Sequence, residues 1–137
     1  MITIKIWKEE FMMENKLIAH PIDETVEKAI EFIQQKNFKI FDDIDQQKEA
    51  IDVGLEIPQT RLIIFGNPKV GTLLMQENDE ITFELPIKVL FIQKGQQTKM
   101  IYKDPYDFAG YDHLKDQGKE IIQKMHGMYL EMEQTLK

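Results

Sequence analysis

The chain has 137 residues and a formal net charge of −7, long enough for one packed domain and too acidic for a nucleic-acid reader, whose affinity rests on a basic face. Cysteine and serine are both absent, which excludes disulfides, thiolate metal centres and Ser- or Cys-based nucleophilic catalysis. Arg61 is the only arginine, so bidentate recognition of a phosphate or carboxylate is confined to one position.

In chain order, Met1–Trp7 alternates apolar and polar residues like an edge strand, a mixed segment Lys8–Asn15 follows, and Lys16–His20 reads as a second short strand. No basic segment runs into a continuous apolar stretch, so the start does not read as a signal peptide. Val26, Ala29, Ile30 and Ile33 have helical spacing, with Asp23 as N-cap and Glu24 and Glu27 at the positive end of the dipole, which predicts a helix to about Asn37. Phe38–Phe41 reads as a strand running into the acidic segment Asp42, Asp43, Ile44, Asp45. A short helix over Gln46–Val53 stops at Gly54. Leu62–Phe65 lacks alternation and predicts a central strand buried on both faces.

The stretch FGNPKVGTLLMQ, Phe65–Gln76, predicts a tight corner and a short helix, in which Asn67 caps the helix and Pro68 occupies its first turn. Ile81–Leu85 and Ile87–Ile92 read as strands interrupted at Pro86, and Gly95-Gln96 as a hairpin turn into Lys99–Tyr102, which Asp104-Pro105 breaks. The C-terminal helix, about 116–136, carries Ile121, Met125, Met128 and Met132 as an apolar stripe that Ile122, Tyr129 and Leu136 widen. That stripe packs on a sheet or forms a Met-rich partner groove. The longest apolar runs are far too short to span a bilayer, so the expectation is a soluble cytoplasmic protein. The mixture predicts an α+β fold: a single domain over 1–137, mostly antiparallel sheet, with helices packed on one face.

The run GLEIPQTRLIIFGNPKVGTLLMQ, followed by ELPIKVLFI and by YKDP at Tyr102–Pro105, resembles the signature of the domain of unknown function 302 family over about residues 22–113. The resemblance implies a compact α+β domain, cytoplasmic or part of bacterial fusion proteins, that forms homodimers; it carries over no catalytic residues. Two positions depart from the family pattern. Gln46 stands after Asp45 where the family commonly has histidine, and Leu73 follows the Gly-Thr pair where proline is usual. A metal or proton-transfer role for that histidine is closed to Gln46.

Lys69 places a positive charge near the free donors of a helix start, so Asn67, Lys69, Thr72 and Lys88 are the candidate ligand-binding residues for a small polar or anionic ligand. The corner contains neither G-x-G-x-x-G nor G-x-x-x-x-G-K-[ST], which argues against a nucleotide loop, and the same composition makes a plain capped corner. Glu84, Tyr102 and Asp104 are the candidates for acid–base chemistry, with Glu84 and Lys88 a potential pair across Pro86. Tyr106 and Tyr111 join Tyr102 and Asp104 in a cluster that locks a strand end or walls a pocket. Asp42, Asp43 and Asp45 read as a solvated edge without calcium-loop spacing, and His20, His113 and His126 are scattered, so neither a metal site nor a cofactor is expected. The leading expectation is a noncatalytic domain that binds a small polar or anionic ligand or a protein partner as a homodimer, with no nucleic acid and no membrane. An acid–base enzyme and a purely structural oligomerisation domain are the alternatives.

Overall fold

The structure, a computed structural model, describes residues 13–137, so the strand expected over Met1–Trp7 lies outside the described residues. Five strands, β1 (Met13–Ile18), β2 (Lys39–Asp45), β3 (Thr60–Gly66), β4 (Ile87–Lys94) and β5 (Gln97–Lys103), form one antiparallel sheet in the order β1-β5-β4-β3-β2. Among the described residues four α-helices accompany it: α1 (Ile22–Gln35), α2 (Gln46–Asp52), α3 (Pro68–Glu77) and α4 (Asp116–Leu136). The fold class is α+β, as the sequence predicts.

Because side chains alternate along a strand, the register assigns each residue a face. Ile63 opposes Val89, Phe65 opposes Ile87, and Phe91 opposes Met100, and all six are buried. This inner face receives α1 and α4. Thr25 of α1 reaches Thr98, hydroxyl to hydroxyl at 3.4 Å, while Tyr129 of α4 stacks on Tyr102 with ring centres 4.1 Å apart. The opposite, outer face presents Leu62 against Leu90, Leu90 against Ile101, and Thr60 against Ile92, all only half-buried. No helix among those packed on the inner face reaches it.

Several local expectations shift for identifiable reasons. In the described residues β1 runs Met13–Ile18, and its antiparallel pairing with β5 holds the polar residues Glu14 and Asn15 in the ladder. α1 is preceded by Pro21, not capped by Asp23, which sits inside the first turn where its charge still favours the dipole. The acidic residues from Asp42 onward belong to β2 rather than to a loop; β2 also carries a bulge at Phe41, the extra residue between the pairs Ile40–Phe65 and Asp42–Ile64. Ile81–Leu85 is not a strand: Asn78 Oδ1 accepts the Glu80 and Ile81 amides, and this cap starts a 3₁₀ turn over Glu80–Glu84. The hairpin is as expected, with Gly95 at φ +61° on the two-residue turn between Lys94 and Gln97. α4 buries Ile122, Met128, Tyr129, Met132 and Leu136, so its apolar stripe packs on the sheet, with Ile121 and Met125 left at its half-exposed border.

Candidate functional site

The corner comes first, because its composition suggested a ligand. Asn67 Oδ1 accepts the backbone amides of Lys69 at 3.0 Å and Val70 at 3.2 Å, and Thr72 donates its hydroxyl to the Pro68 carbonyl at 2.7 Å. The donors that an anion would need are therefore used by the protein itself. Lys69 and Thr72 are exposed and belong to neither of the cavities beside the corner, whose walls are apolar and include Asn67. Arg61 is also committed: its guanidinium grips both carboxylate oxygens of Asp43, with Nε 2.8 Å from Oδ1. That hydrogen-bonded pairing holds Arg61 above its ordinary pKa.

A different place gathers Glu84, Lys88 and Tyr102. A cavity of about 220 Å³ reaches the outer face of the sheet, lined there by Leu62 of β3, Lys88 and Leu90 of β4, and Ile101 and Lys103 of β5, with Phe108 from the turn beyond and with Ile87 and Tyr129 from the inner side. Glu84, only 8% exposed, sits at its end. Its expected partner was Lys88; the structure pairs it with Lys103 instead, Nζ to Oε2 at 2.7 Å, and the Ala109 amide donates to the same oxygen at 2.8 Å. The reason is register. Residues 84 and 88 are separated by the end of a 3₁₀ turn and the start of β4, whereas Lys103 closes β5 on the outer face. Lys88 is exposed and forms no ion pair with any described residue, so the cavity holds one carboxylate and two ammonium groups, of which one is uncommitted.

Tyr102 also lines this space, but from the inner face, where burial first and then the nearby Glu14, Asp104 and Glu133 push its phenol up to about 12. Tyr129 is pushed up further by full burial, and it donates its hydroxyl to the Lys88 carbonyl at 2.8 Å. Both rings keep their protons at neutral pH, so they can donate but not act as bases. Asp104 is not part of the cavity. Its carboxylate accepts the Tyr106 amide at 3.0 Å and lies 3.1 Å from His126 Nδ1, with the Tyr106 ring 4.9 Å from the imidazole, which makes this cluster a fastening between the end of β5 and α4. The three acid–base candidates are thus not one constellation. Glu84, Lys88 and Tyr102 are the wall residues that the sequence pointed to; the rest, Lys103 and Phe108 among them, were not, although Lys103 stands in step with Ile101 along β5.

Among the described residues, no group of three or more His, Asp or Glu side chains is placed to hold a metal ion, and no helix is long and apolar enough to cross a membrane. Three comparisons bear on the chain. It is 38% identical over 76 residues to the fluoride-specific ion channel FluC 1 of Brucella suis biovar 1, a match spanning 56% of this chain and 30% of that protein. The fluoride-specific ion channel FluC 2 of Brucella melitensis biotype 1 gives the same identity, with 28% of its length covered. The chain therefore spans less than a third of the curated relatives it matches. An uncharacterized conserved protein DUF302 from Bacillus stearothermophilus superposes with a TM-score of 0.79 at 18% identity, covering 92% of this chain and 98% of that one, which establishes a common fold. The model of the domain of unknown function DUF302 matches residues 14–132, and the chain belongs to that family.

Proposed function

We propose that this chain is a noncatalytic binding domain whose outer-face cavity takes a small apolar carboxylate. The observation that carries the reading is the combination of apolar walls with the uncommitted Lys88 ammonium at a cavity that already contains its own satisfied Glu84–Lys103 pair. A volume of about 220 Å³ exceeds the roughly 150 Å³ of an apolar cavity that holds benzene, and it falls short of sites built for drug-sized ligands. A six- to eight-carbon acid is the matching size, with its chain against Leu62, Leu90 and Ile101 and its carboxylate at Lys88. Thermal-shift titration with butyrate, hexanoate and benzoate tests it. Hexanoate and benzoate should raise the melting temperature and Lys88→Ala should remove most of the rise; no rise with any acid contradicts the proposal.

A second reading, self-association, is favoured by the outer face itself. Leu62, Leu90, Ile92 and Ile101 form a contiguous apolar surface over neighbouring strands, and such patches on soluble domains mark contact sites. A second copy packed face to face would cover these residues and the mouth of the cavity together. The similarity to channel proteins adds context: this chain corresponds to a minor part of their length, and we infer an accessory, ligand-sensing role beside a transport function rather than transport by this domain.

A further inference from the structure

The FGNPK corner has a role that the outer-face site does not absorb. Two cavities, of about 50 and about 250 Å³, lie side by side between α3, α4 and the ends of β3 and β4, and they share Gly66, Asn67, Ile87 and Met125 as walls. Beyond these, the larger is bounded by Phe38, Val70, Ile121 and Met128 and the smaller by Phe41, Met75 and Leu85, with Lys124 the only charged side chain at either. The bulge in β2 is what turns Phe41 toward this space.

Met125 stands on both walls and is half-exposed, and its unbranched thioether can change rotamer at little cost, so the partition between the two spaces is the most adaptable side chain available. Asn67 is polar at only one end here. Its Oδ1 is occupied by the Lys69 and Val70 amides, which leaves the Nδ2 group with no described acceptor. Asn67, half-buried on that wall, thus keeps one neutral donor in contact with solvent, while the helix amides that would attract an anion are already bonded.

We propose that this divided space is a second binding site, for a small neutral molecule that is largely apolar and carries one hydrogen-bond acceptor, with Asn67 Nδ2 as the donor and Met125 as the movable partition. An aromatic ketone such as acetophenone has this chemistry; ethylbenzene has the same shape without the acceptor. Carboxylates belong to the outer-face cavity, which has Met13 on its wall.

Methyl-¹³C-methionine NMR resolves the two sites. Acetophenone should shift the methyl signals of Met75, Met125 and Met128 saturably and leave those of Met13 and the core residue Met100 in place. Asn67→Asp keeps the oxygen that caps α3 and removes the donor, so it should weaken acetophenone about fivefold, the worth of one hydrogen bond, and leave ethylbenzene unchanged. Met125→Trp fills the space and should abolish both. Shifts that do not saturate, shifts at Met100 equal to those at Met125, or unaltered acetophenone binding in Asn67→Asp would overturn the proposal. Hexanoate binding reported at Met13 is independent of all these outcomes.

Discussion

Gly110 is the residue whose identity is most tightly dictated. Its φ is +85°, and a Cβ built there would lie 2.2 Å from Asn78 Oδ1, the atom that caps the 3₁₀ turn leading to Glu84. Gly110→Ala combines backbone strain with displacement of that cap and should lower stability by about 1–3 kcal/mol, read from the urea midpoint. An unchanged midpoint would mean the cap is dispensable. Tyr102 gives a pH-dependent counterpart. Its folded pKa of about 12 lies above the ordinary 10, so the folded state favours the neutral phenol. The stabilisation is complete below pH 10 and is lost as pH rises toward 12, with Tyr129 acting in the same direction. Urea unfolding at pH 9, 10.5 and 11.5 should show falling stability, with a shallower fall in Tyr102→Phe.

Among the elements, α3 shows how much of a site can be read from sequence. Asn67, Pro68 and the apolar residues behind them specified a capped helix, because capping depends on neighbours in the chain. Asn67→Ala should cost about 1 kcal/mol in thermal unfolding while leaving carboxylate affinity at the outer face unchanged; a loss of that affinity would return the corner to the first site. The Glu84–Lys103 pair was not legible in the same way. It joins a 3₁₀ turn to a strand end 19 positions away, and the segment over Ile81–Leu85 alternates well enough to pass for a strand until Asn78 caps it. Phe83, 87% exposed, shows that this alternation is not matched by burial. Likewise the spacing of α4 was legible, but which edge of its stripe faces the sheet depended on Tyr129 finding Tyr102, a contact no local pattern encodes.

For the whole molecule, the helices that bury their apolar stripes among the described residues, Ile22–Gln35 and Asp116–Leu136, pack on the inner sheet face, and the proposed ligand and partner sites lie on the outer one. If a second copy covers it, Leu90→Glu should shift the protein to monomer in light scattering at micromolar concentration, since a charge would then be buried in an apolar contact. Wild-type protein that is already monomeric would remove the dimer and leave the cavity reading intact. The antiparallel α+β architecture followed from short strands, a two-residue hairpin turn and the helical spacing of apolar residues over Val26–Ile33 and Ile121–Met132, all local signals. The open face did not, because Leu62, Leu90, Ile92 and Ile101 are as apolar in sequence as any core residues. The most direct measurement is ¹⁵N amide shift mapping with hexanoate. Saturable changes confined to Lys88, Leu90, Ile101, Phe108 and Ala109, and sharply weakened in Lys88→Ala, are expected; changes centred on Lys69 and Val70, or none at millimolar ligand, would contradict carboxylate binding at the outer face.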